Sequence, residues 1–283
     1  MLIYFFLPLV AGLLNGLTEI FNKSITEKKY SAFSYSFLQW CGNLLIYSIP
    51  FIYFRDYFPT DYHAYIPLVI VVIIVFIGNI LLIRAYKTED ASIVNIISRI
   101  SLVIGFFNGV IFLSESITVP KVIGILFIVF GIFIIFYKGK KLKPSLGLAL
   151  ALVSGICFGM MSFLNKLALP YYVSSTAYLV EANIFAVSLF LLKPTMLKYV
   201  KPILTKHFRN YLLSRIFAAS GYLILTYAIS RADVSVVNTN FETAFLLSVV
   251  AICIIFLKEK KNIKKKIAVA LFCTLGIFFL NFF

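Results

Sequence analysis

Apolar runs of about 20 residues, the length that crosses a bilayer as a helix, recur along the whole chain with short polar connections between them. Ten such runs predict ten helices, at about 3–22, 32–54, 64–84, 91–113, 119–137, 146–168, 174–192, 210–230, 234–257 and 265–282. The longest connection, Lys193 to Arg209, carries two prolines and five basic residues and is too short for a soluble domain. The pattern therefore predicts an all-α integral membrane protein. Its first run has no basic leader and continues into Asn15 and Glu19, so it is expected to remain as a span.

The second half of the pattern repeats the first. A shift of 143 residues carries Gly12 and Gly16 onto Gly155 and Gly159, and Asn22-Lys23 onto Asn165-Lys166. It also carries Ala85, Asp90, Ser92 and Asn95 onto Ala228, Asp233, Ser235 and Asn238, and one further residue brings Glu115 onto Glu259. Each unit, 1–143 and 144–283, holds five spans. An odd number makes the second copy enter the membrane from the opposite side. The expectation is two inverted five-helix repeats around a central cavity, with the site near the midplane between them.

Composition and charge agree with this picture. Hydrophobic residues make up 61% of the chain and mean hydropathy is +0.99, well above a soluble domain. The net charge of +15 would suggest nucleic acid in a soluble protein. Here every Lys and Arg except Arg99 and Arg215 lies in a connection or at a helix end. All of those except Arg55, Lys121, Lys166 and Arg231 fall in alternate connections starting with the first. That is a topology signal, and it argues against nucleic-acid binding. It puts those connections in the cytoplasm and both termini outside. Cys41, Cys157, Cys253 and Cys273 sit singly in apolar runs, and His63 and His207 lie in or beside connections. With no metal-ligand spacing, nucleophile constellation or nucleotide-binding motif, no metal, cofactor or enzymatic activity is expected.

Polar residues inside spans are the candidates for function, since an ionised side chain at a helix centre costs roughly 2.5–3.5 kcal/mol. Asn15, Thr18, Glu19 and Asn22 follow helical spacing and share one face of the first span, flanked by Gly12 and Gly16. That face reads as a cavity wall or as a polar helix seam. In the fourth span Asn95, Ser98 and Arg99 share a face; in the ninth, Asn238 and Glu242 do. Arg99 keeps its charge and needs an anion, either Glu242 or a substrate group. Such a pair would also serve as a latch that substrate opens. Tyr178 and Glu181 share a face of the seventh span, and Gln39 lies beside Trp40 in the second. Glu19, Glu181 and Glu242 are the candidates for a coupling proton, because burial favours the neutral form of a carboxyl. Arg215 and Tyr222 share a face of the eighth span, and Arg215 is expected to snorkel to the cytoplasmic surface. Tyr35, Trp40, Tyr178 and Tyr222 are the rings that could cage a quaternary amine. Glu115 and Glu259 are expected to serve helix ends.

The paired repeats, the two glycine-bearing spans ending in Lys23 and Lys166, the Ala91-Ser92 opening of the fourth span, Glu115 and Glu259, and Gly124, Gly131 and Gly276 resemble the drug/metabolite transporter superfamily, in particular its ten-helix EamA-type members. Members often carry a proline within the fourth and ninth spans, and this chain has none there. The resemblance implies a multi-pass plasma-membrane transporter, monomer or homodimer, working by alternating access on a small-molecule substrate. Three buried acids against one or two bases favour a cationic or zwitterionic metabolite of the amino-acid or amine class, with proton coupling as one energy source. A flippase for a lipid-linked intermediate and a quaternary-amine or drug transporter are the alternatives. The predicted substrate-binding set is Asn15, Glu19, Gln39, Trp40, Asn95, Arg99, Tyr178, Glu181, Tyr222, Asn238 and Glu242.

Overall fold

Eleven α-helices account for the ten apolar runs in the computed structural model, which describes every residue except 1, 27–29, 114–116, 139–140, 143–144, 193, 232–233, 257–262 and 283. Glu115, Asp233 and Glu259 lie outside the described residues. The helices are α1 (Leu2–Ile25), α2 (Ala32–Tyr53), α3 (Tyr65–Tyr86), α4 (Ala91–Ile97), α5 (Ile100–Leu113), α6 (Val119–Phe136), α7 (Leu146–Ala168), α8 (Ser175–Leu191), α9 (Val200–Arg231), α10 (Val234–Ile255) and α11 (Ile263–Phe282). A two-residue antiparallel pairing of Tyr137–Lys138 with Lys141–Leu142 between α6 and α7 departs from a purely helical chain.

Among the described residues, four helical stretches are long and apolar enough to cross a membrane by length and composition: Tyr62–Tyr86, Ala91–Phe112, Leu146–Tyr171 and Leu197–Ile229. Val119–Ile134, Ser175–Leu191 and Asn240–Ile255 are shorter apolar helices. The outward faces keep large apolar side chains such as Leu45, Ile49, Phe107, Ile111, Phe130, Phe133, Leu271 and Leu275 exposed. Lipid accepts such a belt and water would not.

Two features differ from the sequence pattern. First, the segment expected as a connection between the seventh and eighth spans is largely helical: a 3-10 stretch at Pro194–Tyr199 leads into α9, which begins at Val200 and is interrupted only at His207 (φ −126°, ψ 23°). Hydropathy cannot register this helix, because Lys201, Lys206 and Arg209 make it polar while its backbone bonds close normally. Second, the fourth span is broken. No proline causes it. Ser98 Oγ donates to the Val94 carbonyl (2.8 Å) and Arg99 Nε donates to the Asn95 carbonyl (3.1 Å). The Arg99 amide turns to Ile96 O and the Ser101 amide to Ser98 O, so the turn tightens to three-residue bonds. The Val94 carbonyl keeps its helical bond from the Ser98 amide, whereas the Asn95 carbonyl loses the Arg99 amide and accepts from the Arg99 side chain instead.

The packing follows the 143-residue shift. α1 packs on α9 and α10, and α7 packs on α3 and the α4–α5 pair. Glycine makes the close approaches possible. A Cβ on Gly12 would meet Ala244 Cβ and the Phe245 amide, each at 2.8 Å; one on Gly155 would lie 2.5 Å from Ile100 Cγ2 and 2.7 Å from Ser98 O. Gly12 and Gly155 are equivalent under the shift, and so are the segments they touch. The largest apolar core among the described residues joins α3, α4, α5, α6, α7, α10 and α11. The polar residues of α1, α4 and α9 gather beside it.

Candidate functional site

The polar stripe of α1 is buried, and its members have different duties. Asn15 Nδ2 donates to the Ala11 carbonyl (2.9 Å) and presses against Gly221 of α9, so Asn15 serves the helix seam. Thr18 Oγ1 donates to the Leu14 carbonyl (3.1 Å). Glu19 lies in the field of both Arg215 and Arg99 and beside the Tyr86 hydroxyl. Its Oε2 has no hydrogen-bond partner among the described residues.

Arg99 stands at the break between α4 and α5, where the interrupted backbone aims it inward. Its Nη1 forms an ion pair with Oε2 of Glu242 on α10, and its guanidinium lies 4.8 Å from the centre of the Phe245 ring. The predicted pairing of equivalent positions is therefore present. Asn95 turns its amide to the Tyr86 hydroxyl (3.0 Å) and the Ala91 carbonyl (2.9 Å), which connects the break to Glu19 through Tyr86. Asn238 lies within α10, but its side chain is outside the described residues.

The densest polar contact is around Asn22. Its Oδ1 accepts from Tyr35 Oη (2.6 Å), Ser214 Oγ (2.9 Å), Arg215 Nη2 (3.0 Å) and Gln39 Nε2 (3.1 Å). Arg215 Nη1 reaches Asn43 Oδ1 (3.3 Å), and Asn79 Nδ2 donates to Gln39 Oε1 (3.1 Å). Arg215 does not snorkel: it is 3% exposed. Gly42 explains this, because a Cβ there would lie 2.6 Å from Arg215 Cγ; α2 approaches closely enough to hold the side chain inside. Asn22, Asn43, Tyr86 and Ser214 were not in the predicted set. The coincidence of Asn22 with Asn165 and of Tyr35 with Tyr178 under the 143-residue shift was the available signal.

Glu181, Tyr178 and Trp40 belong elsewhere. Glu181 accepts from Tyr172 Oη (2.6 Å) and neighbours Tyr65; neither Arg99 nor Arg215 is among its partners. Tyr178 donates to Asn165 Oδ1 and stands edge-on to Tyr172. Trp40 packs between this cluster and the one containing Tyr35, with its Nε1 unpartnered among the described residues. The four proposed cage rings thus divide between separate clusters, because Asn22 and Asn165 each hold one tyrosine. The charge balance changes as well. With Glu181 apart and Arg215 present, the centre holds Glu19 and Glu242 against Arg99 and Arg215.

Tyr222 stands beside this centre. It shares a face of α9 with Tyr211, Arg215 and Thr226, all buried, yet it is 37% exposed. Glu19, Arg99 and Arg215 all act on its hydroxyl. Among the described residues no group of three His, Cys, Asp or Glu is placed to hold a metal ion.

Apolar helices of this length around buried polar residues define a multi-pass membrane protein. The chain belongs to the EamA-like transporter family, whose model matches residues 2–137, and so to the drug/metabolite transporter superfamily. It is similar to an uncharacterized protein of Methanocaldococcus jannaschii, with 30% identity over 129 residues that make up 93% of that protein and 46% of this chain. A protein of known crystal structure shares the fold at 12% identity, with a TM-score of 0.65 over 98% of this chain and 97% of that one.

Proposed function

We propose that the protein moves a small cationic or zwitterionic organic metabolite, of the amino-acid or amine class, across the plasma membrane by alternating access between two inverted repeats, 1–143 and 144–283. One observation carries the reading: Arg99 and Glu242, equivalent under the repeat shift, meet as a buried ion pair between the halves, beside Glu19 and the accessible Tyr222. A buried pair offers little net stability against an apolar replacement. It does offer a contact that a charged solute can exchange, so opening the latch would link solute binding to the rocking of the halves. Glu19, with an unpartnered oxygen, is the residue that takes the solute's cationic group and, in its absence, a coupling proton. The exchange of α1–α9 and α1–α10 contacts for α7–α3 and α7–α5 contacts supports the repeat plan, as does a relative of half this length.

The lipid-facing grooves between α6 and α11 are lined by Ile123, Leu126, Phe127, Phe130, Phe133 and Phe272. These are large apolar side chains, not the small residues that a lateral opening for a lipid-linked headgroup would want.

The test is counterflow in proteoliposomes with labelled amino acids, quaternary amines and neutral sugars. Exchange of an amino acid or amine, lost in Arg99→Ala and Glu242→Gln with the fold retained, is the expected result. Exchange of neutral sugars alone, or full exchange in both variants, rejects the proposal.

A further inference from the structure

Asn22 Oδ1 has two lone pairs, and four donors converge on it, one of them a guanidinium. Neutral amide oxygens are also all that Arg215 reaches with its terminal nitrogens outside its neighbour Ser214: Asn22 Oδ1 and Asn43 Oδ1. Its Nε has no acceptor, and among the described residues no carboxylate lies within ion-pair distance of it. Arg99 is the opposite case, because it is already paired with Glu242, bonded to the Asn95 carbonyl and stacked on Phe245. The pocket around Asn22 therefore holds a surplus of donors and a buried guanidinium that no carboxylate touches directly, with Glu19 acting on it from the far side of Asn22.

The repeat shows that the fold does not require this. The equivalent pair, Tyr178 and Asn165, is present in the second half. The positions equivalent to Gln39, Ser214 and Arg215 are Ala182, Val71 and Val72. A purely structural tyrosine–asparagine contact thus stands without the arginine. The extra donors occur once, on the side of the bundle where Glu19 Oε2 is unpartnered and Tyr222 is accessible.

We infer that the Arg215–Asn22–Tyr35 cluster is a carboxylate-binding subsite, and that the transported solute is a zwitterion whose carboxylate takes the Arg215 guanidinium edge while its ammonium takes Glu19. Asn22 joins the two ends: its Nδ2 reaches Glu19 Oε1 (3.5 Å) and its Oδ1 reaches Arg215. The inference rests on the transport reading above and narrows it from amines in general to amino acids. A planar guanidinium suits a carboxylate because two parallel N–H groups match its two oxygens.

The test is counterflow with three matched pairs that differ only in the carboxylate: L-leucine and isopentylamine, L-phenylalanine and phenethylamine, L-lysine and cadaverine. Wild-type protein is expected to exchange at least one amino acid and to discriminate against its amine. Arg215→Gln should weaken exchange of that amino acid by on the order of 30-fold or more and erase the preference over the amine. Wild-type protein that exchanges an amine as well as its amino acid, or an Arg215→Gln variant that exchanges the amino acid normally, overturns the subsite and leaves the transport reading standing. No exchange of any of the six solutes by folded wild-type protein overturns the solute class and the subsite together. If Arg215→Gln does not fold, Arg215→Lys and Tyr35→Phe replace it. Each should raise the KM for the amino acid several-fold with the fold intact, and an unchanged KM in both overturns the inference.

Discussion

Arg99 and Glu242 are 143 residues apart, occupy equivalent positions of two similar segments, and form an ion pair with each other. Removing one partner leaves an uncompensated charge inside the bundle, which typically costs about 3–5 kcal/mol. Arg99→Ala and Glu242→Gln should therefore each lower the unfolding midpoint in detergent. The double replacement Arg99→Met with Glu242→Met should recover much of that stability and still fail to transport. A stable double variant that still transports would mean that the pair is simply structural.

Glu19 should separate exchange from accumulation. In Glu19→Gln the carboxamide keeps the volume and loses the proton. We predict that proton-driven uptake falls to background while the apparent affinity for the cationic end of the solute drops about tenfold or more, the loss of one charge-assisted contact. Uptake and counterflow measured on the same proteoliposomes check both points.

The glycines should differ sharply. Gly155→Ala forces a methyl to within 2.5 Å of Ile100 Cγ2 and 2.7 Å of a backbone carbonyl at the break, so it should destabilise by about 1–3 kcal/mol. Gly105, on α5, has nothing within 4 Å of an added Cβ. Gly105→Ala should be neutral or stabilising by about 0.5–1 kcal/mol, the ordinary helix preference for alanine. Thermal unfolding of the two variants side by side gives the comparison.

One end of the bundle is held by contacts on residues 86–90. Lys23 donates to the carbonyls of Tyr86 and Glu89, Ser145 donates to the Glu89 carboxylate, and Lys266 pairs with Asp90 at 2.8 Å. Lys266 is 1% exposed, so its removal leaves Asp90 without its ion-pair partner at a packed end. Lys266→Ala should loosen this end. In a background of Cys41→Ser, Cys157→Ser and Cys273→Ser, the buried thiol of Cys253, close to Tyr86, should then react several-fold faster with a maleimide. An unchanged rate would show that the ion pair does not hold this end shut.

Much of this protein was legible in its sequence because lipid imposes simple rules. Spans must be long and apolar, so hydropathy located the runs to within a few residues. A buried arginine must have an anion, so Arg99 pointed to Glu242. The helix after Lys193 was hidden because a polar helix leaves no hydropathy signal. The break at Ser98–Arg99 was hidden because it carries no proline; there the Arg99 amide turns to Ile96 O and the Arg99 side chain takes the Asn95 carbonyl one turn back.

The linear chain by itself determined the membrane class, the number of apolar runs, the residue matches at a 143-residue offset and the list of costly polar residues, since each depends on local composition and spacing. Only the tertiary structure decided which polar residues meet. Glu181 and Tyr178, plausible site residues by spacing, were drawn to Tyr172 and Asn165. Arg215, plausible as a surface residue, was drawn inward by the close approach of α2 at Gly42 and by Asn22. That sorting depends on how helices distant in the chain cross, and on where a missing Cβ lets two backbones touch. No periodicity within a single helix carries that information.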